Sequence, residues 1–218
     1  MKRLLALIAM ILAGSIGNAR SATITFEDHA VPFGTALPQS GDPTSGGFFF
    51  DMASNAYQFA NNSAKVDDGS TYIVIQGALQ GPPISQTTFS QIGGTPFALT
   101  SLDFAEWQSD IPGSHAYPQQ ITVTGNRLGG GTVSAMLVPD GIFDGPGGLQ
   151  DFETFAFGSQ WANLMSVTLL GTGATTGNLN YFAIDNIVVG SAVPEPGTLS
   201  LLGLGAACLF RRRRHNSR

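Results

Sequence analysis

Short β-rich runs separated by turn-forming residues fill the middle of this 218-residue chain. In one of them Tyr72 and Val74 share one face of an extended strand, while Ile73 and Ile75 share the other. Clusters of Gly, Pro, Asn and Asp end the runs, and no window of ten or more residues between them shows capped helical periodicity. The pattern predicts an all-β fold, a single β-sandwich of the jelly-roll type over residues 23–190. The predicted strands are Thr23–Glu27, Phe48–Asp51, Thr71–Gln76, Phe97–Phe104, Ile121–Gly125, Thr132–Val138, Phe152–Phe157, Ser166–Leu170 and Phe182–Val189.

Stability of this domain must come from its core, because no disulfide is available. Cys208 is the only cysteine and lies outside residues 23–190. A domain of this length buries roughly two-thirds of its unfolded surface. Trp161 and most of the 15 Phe are therefore expected in the core.

The charge of residues 23–190 excludes one large class of partners. Lys65 and Arg127 are the only basic residues there, against 14 acidic residues between Glu27 and Asp185, a formal charge of −12. Non-specific binding to nucleic acid requires Lys and Arg to neutralise phosphates, so no nucleic-acid partner is expected. An acidic body favours solubility and makes divalent cations plausible partners.

The N-terminal residues have the pattern of a secretory signal peptide. Lys2 and Arg3 form a positive region, Leu4–Ile16 an apolar region, and Gly17–Ala19 a cleavage site of small residues. We expect residues 1–19 to be a signal peptide and the protein to be exported across the inner membrane.

The C-terminal residues combine a rigid turn, a short apolar run and a basic cluster. Pro194 and Pro196 fix φ and remove backbone donors on either side of Glu195. Thr198–Phe210, with 13 residues, would be roughly 20 Å long as a helix, shorter than a bilayer core of about 30 Å. The basic cluster would stay on the cytoplasmic side; it comprises Arg211, Arg212, Arg213 and Arg214. A plain tail anchor and a processed signal both remain open.

In this order the three parts resemble the PEP-CTERM sorting signal of exopolysaccharide-producing Gram-negative bacteria. The resemblance implies that residues 193–218 place the protein transiently in the inner membrane through the apolar helix. An exosortase-type enzyme would then cleave near Pro194–Pro196. The protein is expected at the cell surface or in the extracellular matrix, with exopolysaccharide as a partner.

Asp185 is the ionisable residue whose position is hardest to explain. Strict alternation along Phe182–Val189 places it with Ala183, Ile187 and Val189 on an apolar face. A buried carboxylate is costly unless it is paired, hydrogen-bonded or bound to a metal. The scarcity of cations favours a metal, and hydrogen bonds from backbone amides at a strand bend are the alternative.

The two ends of the predicted domain suggest which metal. The opening Ile24–Glu27 and the closing Tyr181–Val189 resemble the first and last strands of galactose-binding-like jelly rolls, including carbohydrate-binding modules. That resemblance implies that Glu27 and Asp185 hold a structural Ca²⁺ ion. Calcium takes six to eight oxygen ligands, so carboxylates of this kind suit it.

No pattern typical of an active site accompanies these features. His115 lacks a Gly-x-Ser-x-Gly elbow, and no His-x-x-x-His pair is present for zinc. Asp103 and Glu106 would face opposite ways on an extended strand, which suits a glycosidase acid/base pair poorly. We therefore expect a non-enzymatic protein, with a weak hydrolase as the less favoured alternative. An acidic Gly-rich stretch is a candidate loop cation site: Asp140, Asp144, Asp151 and Glu153.

A carbohydrate-binding module proper is the other alternative. Sugar sites combine an aromatic surface with a few polar groups. Trp107, His115 and Tyr117 lie in or beside the polar segment Gln108–Gln120, and they are the candidate carbohydrate-binding residues.

Overall fold

The fold is all-β, as the sequence predicts. A computed structural model describes 13 strands and two short 3-10 helices, Glu27–His29 and Ser159–Trp161. The strands are β1 Ser21–Ile24, β2 Thr35–Gln39, β3 Thr44–Ser45, β4 Phe48–Met52, β5 Tyr57–Asn61, β6 Thr71–Ile75, β7 Gln86–Gln91, β8 Phe97–Glu106, β9 Gln120–Arg127, β10 Thr132–Leu137, β11 Glu153–Ala156, β12 Leu164–Thr172 and β13 Phe182–Ser191. The structure describes residues 21–61, 66, 68–77, 85–107, 120–142, 144–145, 148, 150–173 and 180–191.

The strands form two antiparallel sheets that meet at one point. One sheet contains seven strands. Six of them follow the order β2, β5, β6, β13, β8 and β11, and the seventh, β1, pairs with the same edge of β13 as β6 but further along that strand. The other contains six strands, in the order β3, β4, β7, β12, β9 and β10. The only pair joining the two among the named strands is Leu164–Phe97. This arrangement is a jelly-roll-like β-sandwich.

The main core lies between the sheets. Ile73, Phe104 and Phe182 enter it from the seven-stranded sheet, and Phe89 and Val167 enter it from the six-stranded sheet. Each such side chain contributes about 1.5–3 kcal/mol on full burial. Burial of apolar side chains on both inner faces therefore stabilises this domain, whereas many exported domains depend on disulfides for stability.

Trp161 belongs to this core, as predicted. Its side chain is 2% exposed, and its ring centroid lies 4.6 Å from that of Phe157. The 3-10 helix Ser159–Trp161 delivers the indole at the point where the chain enters β12.

A smaller apolar cluster covers the outer face of the seven-stranded sheet. Tyr72 and Ala183 point outward from their strands into it, and Trp107 and Tyr181 join them. The chain segment at Val66 lies over this cluster and forms a parallel bridge with Gln150. The seven-stranded sheet is therefore apolar on both faces around β6, β8 and β13.

Candidate functional site

A bulge in β13 turns Asp185 to the outer face of the seven-stranded sheet. The register between β13 and β8 shifts after Asp185, and Asn186 adopts the left-handed conformation with φ 46°. Asn tolerates this conformation better than β-branched residues do. Ile187 consequently points into the main core, whereas Asp185 stays on the side of Ala183. The predicted alternation, with Asp185 and Ile187 on one face, is wrong because the bulge adds a residue between them.

The Asp185 carboxyl is fully buried and only half bonded. Its Oδ2 accepts a hydrogen bond of 2.8 Å from the Ser70 hydroxyl. Its Oδ1 is buried and has no hydrogen-bond partner within the described part of the chain. The pKa of Asp185 is raised to about 8, chiefly by burial and also by the neighbouring Asp68 carboxyl, while the Asn186 amide and the Ser70 hydroxyl act in the opposite direction.

Glu27 reaches the same segment from the start of the domain. β1 ends at Ile24, earlier than predicted, because Phe26 turns into the left-handed conformation with φ 56° and is fully buried. Glu27 then opens a 3-10 helix, and its Oε1 accepts a hydrogen bond of 2.7 Å from the Thr71 amide. Glu27 and Asp185 therefore converge on the adjacent residues Ser70 and Thr71.

A third carboxylate completes the group, and the sequence alone did not single it out. Asp68 Oδ1 accepts a hydrogen bond of 2.9 Å from the Ser70 amide. It also lies 2.9 Å from the Ser70 hydroxyl, whose single proton is shared between Asp68 and Asp185. Oxygen donors of this kind, one of them buried and unbonded, suit calcium. In the described ranges, however, no three acidic, His or Cys side chains come close enough to hold a metal by themselves. The residues fit as part of a ligand set that backbone carbonyls and water would have to complete.

The one basic residue that the structure describes, Arg127, bonds elsewhere and not to Asp185. Arg127 donates from Nη2 to the Gln160 carbonyl at 2.6 Å. Lys65 lies outside the described residues. The sequence also allowed backbone amides to hydrogen-bond the Asp185 carboxyl. The Asn186 amide does lower the pKa of Asp185, but Oδ1 has no hydrogen-bond partner in the described part of the chain.

A second acidic cluster lies where β8 ends and β11 begins. Glu106 is only 6% exposed. Its pKa is raised to about 7, chiefly by burial and also by the charges of Glu153, Asp151 and Asp140. Glu153 accepts a hydrogen bond of 2.7 Å from the Asp140 amide. Burial also raises the pKa of both Asp151 and Glu153.

The sequence predicted the loop members of this cluster but not Glu106. Asp103, three residues earlier on β8, faces the other way, as predicted. It accepts hydrogen bonds from the Thr154 hydroxyl at 2.6 Å and from the Asn186 side-chain amide at 2.9 Å. Asp103 and Glu106 therefore do not form a catalytic pair.

The structure contradicts the predicted role of Trp107 as an exposed surface for sugars. Its side chain is 5% exposed and packs in the outer apolar cluster, with its ring centroid 6.1 Å from that of Tyr72. Burial of the ring removes the faces on which a sugar would stack. His115 and Tyr117 lie outside the described residues.

The predicted targeting segments also lie outside the described residues. They are residues 1–19 and residues 193–218, which include Pro194, Glu195, Pro196 and the four arginines from Arg211 to Arg214. Within the described ranges, no helix has both the length and the apolar character that a membrane span requires.

Comparison with known families identifies one of these segments. Residues 192–214 match the PEP-CTERM protein-sorting motif. No curated protein matches the chain.

Solved structures with a similar course of the chain include two bacterial adhesin domains. The K2 cleaved adhesin domain of Lys-gingipain is 13% identical, with a TM-score of 0.40 over 79% of this chain and 99% of that domain. The K3 cleaved adhesin domain of Lys-gingipain from Porphyromonas gingivalis W83 is 12% identical, with a TM-score of 0.38 over 78% of this chain and 98% of that domain.

The match at residues 192–214 is a finding about destination. It covers the Pro-Glu-Pro turn, the apolar run and the arginine cluster. A motif of this kind implies export, transient anchoring in the membrane and recognition by an exosortase-type system. The chain is therefore a β-sandwich protein that carries a PEP-CTERM sorting signal.

Proposed function

We propose that this protein is a non-enzymatic component of the cell surface or extracellular matrix, associated with exopolysaccharide and delivered by an exosortase-type enzyme. The observation that carries the proposal is the PEP-CTERM motif at residues 192–214. Under this proposal residues 1–19 direct export, residues 23–190 are the delivered domain, and residues 193–218 are removed. The delivered domain has a formal charge of −12, which keeps it soluble within a hydrated matrix.

Processing depends on Pro194, Glu195 and Pro196 in this proposal, because their rigid turn presents an exposed peptide beside the membrane. Replacing all three by Ala should leave the full-length protein in the inner membrane. Pro38→Ala is a matched control, since Pro38 is exposed on an edge strand outside the motif. Mass spectrometry of the mature C-terminus decides the outcome, and surface protein that still carries Arg218 would contradict the proposal.

The absence of enzymatic activity needs its own test. Glu106 is the described group best placed to act as an acid near neutral pH, because its pKa is about 7 and Glu153 lies nearby. Purified exopolysaccharide should release no reducing ends when incubated with the secreted protein. Release by the wild type that Glu106→Gln abolishes would show a hydrolase instead.

We also propose a structural role for calcium within this domain. Glu27 and Asp185 would supply carboxylate oxygens, backbone carbonyls and water would complete the ligand set, and the unbonded Oδ1 of Asp185 is the contact that supports the assignment. The ion would neutralise a buried carboxylate that has no cationic partner among the described residues. The ion would also link Glu27, near the start of the domain, to β13, its last described strand.

A further inference from the structure

The outer face of the six-stranded sheet carries a row of hydroxyl groups in register across four neighbouring strands. Thr88 of β7 pairs with Thr168 of β12, Thr168 pairs with Thr124 of β9, and Thr124 pairs with Ser134 of β10. Asp51 of β4 extends the row beyond Thr88. The Oγ1 atoms of Thr88 and Thr168 are 2.9 Å apart, so two members of the row are hydrogen-bonded to each other. We call this outer surface the hydroxyl face.

Mostly polar, uncharged side chains flank the row, together with the apolar Leu170 and Met136. On one side Asn126 pairs with Ser166, and its amide donates to the Ser166 hydroxyl at 2.9 Å. On the other side Thr122 pairs with Leu170 of β12 and Met136 of β10. Among the side chains that β4, β7, β9, β10 and β12 present on this face, Asp51 is the only ionisable one. The hydroxyl face is therefore a broad, nearly neutral surface of hydroxyls and amides.

Alternation along each strand explains why the face is polar. The opposite side chains of the same strands, such as Phe89, Val123 and Val167, fill the main core. The outward positions are consequently free of packing demands, and a soluble domain needs only that they be polar. Charged residues would meet that need equally well, yet this face uses Thr, Ser, Asn and Gln almost throughout.

The chemistry of the face selects against most partners. Nucleic acids and anionic lipid headgroups require cations, and this face has none in the described strands. Acidic polymers would also be repelled by Asp51 and by the charge of −12 on residues 23–190. A stable protein interface would need a larger apolar centre than Leu170, Met136 and Phe49 provide.

A neutral polysaccharide meets the same constraints. Sugar hydroxyls both donate and accept hydrogen bonds, as Thr, Ser, Asn and Gln side chains do. Adjacent strands lie about 4.8 Å apart, so the row of five residues from Asp51 to Ser134 extends over about 19 Å. Phe49 is 39% exposed near one side of the face and Met136 is 60% exposed near the other, and both offer apolar contact to the C–H surfaces of sugars.

We propose that the hydroxyl face is the surface on which this protein binds a neutral polysaccharide chain. The inference rests on the proposed association with exopolysaccharide and assigns it to a surface. It replaces the predicted site at Trp107, which is buried.

The test uses the secreted protein and two probes, the neutral and acidic fractions of exopolysaccharide purified from the producing cells by anion exchange. The wild type should bind the neutral fraction in affinity electrophoresis. Thr124→Val together with Thr168→Val removes two hydroxyls while keeping the β-branched shape, and we expect about a tenfold loss of affinity. Thr23→Val together with Thr100→Val is the matched control, because both residues are exposed on the other sheet. It should bind like the wild type.

A second variant guards against misfolding of the first. Ser134→Glu places a charge on an exposed residue at the edge of the face and should weaken binding without touching the core. Equal affinities for the wild type and both face variants, equal losses in face and control variants, or wild-type binding to the acidic fraction alone would overturn the inference.

The outcomes separate this inference from the proposed function. If binding to the neutral fraction persists in the face variants, the association stands and the assigned surface is wrong. If the wild type binds neither fraction while its C-terminus is processed, delivery stands and both the association and the surface fail. A mass that doubles with concentration in light scattering, and that the face variants restore to a monomer, would assign the face to a second copy of the chain instead.

Discussion

Glu106→Gln should stabilise the protein at neutral pH and leave it unchanged in acid. The carboxyl is 6% exposed, and its pKa is raised from 4.5 to about 7. Between about pH 4.5 and pH 7 the folded state keeps a proton that the unfolded state has released. Because the folded state binds more protons in this window, stability is lost as pH rises through it. Gln resembles the protonated acid and cannot ionise, so it escapes this loss.

The size of the effect follows from the shift. One pKa unit corresponds to about 1.4 kcal/mol, so a rise from 4.5 to about 7 costs the ionised protein about 3 kcal/mol above pH 7. The free energies of unfolding of the wild type and Glu106→Gln should therefore coincide near pH 4.5. They should separate steadily to about 3 kcal/mol by pH 8, with the variant more stable.

Urea denaturation at several pH values measures this difference directly. Asp51→Asn removes one negative charge from an exposed position on the other sheet and controls for net charge. Glu153→Gln should reduce the difference, because Glu153 is the first of the neighbouring charges that raise the pKa of Glu106. A difference between wild type and Glu106→Gln that is the same at every pH, or that grows in acid, would refute the assignment of a buried, uncompensated carboxyl.

Three further predictions follow from described contacts. A chelator should lower the melting temperature, and calcium at a hundredfold excess over Kd should stabilise the folded state by about 2.7 kcal/mol. Asp185→Asn should abolish this response, and identical wild-type melting curves with chelator and with calcium would contradict the proposed ion. Trp161→Ala and Trp107→Ala should each destabilise by about 3–5 kcal/mol, because both side chains are buried, and an unchanged melting temperature for either would place its ring at the surface. Gly171→Ala would bring a Cβ to 2.6 Å from a backbone carbonyl and should cost about 1–3 kcal/mol, whereas Gly190→Ala, with no contact nearer than 3.8 Å, should be tolerated; equal losses in thermal melts would contradict this.

The sequence predicts the sandwich because several strands bury one face each. β4 and β9, for example, alternate cleanly between core and surface. Two of the strands that it does not predict, β7 and β2, have a weaker form of this signal. In β7 only Thr87 and Phe89 point inward, and β2 is an edge strand interrupted by Pro38. Their partners in the sheets, rather than their own side chains, hold these segments in place.

The sequence predicted two carboxylates of the candidate site, Glu27 and Asp185, but neither the third nor their geometry. Strict alternation cannot anticipate the left-handed Asn186, which decides the face on which Asp185 lies. Asp68 is far from Asp185 in the sequence and comes close to it only through the fold, where both carboxyls contact the Ser70 hydroxyl. Trp107 looked exposed because polar residues follow it, yet a second apolar cluster on the outer face of the sheet covers its ring. Local patterns do not contain contacts that join distant segments across a sheet.

The position of β13 has a consequence for the order in which the domain folds. This last described strand is the centre of the seven-stranded sheet, where it pairs with β1, β6 and β8. β1 has no other strand partner in the described structure, so the first strand of the domain cannot pair until the last one is present. The domain therefore cannot complete its sheet until the chain is available as far as Ser191. The strand that completes the sheet is thus the segment directly before the residues that match the sorting motif, so loss of the last residues of the domain would leave both β1 and β6 without their shared partner.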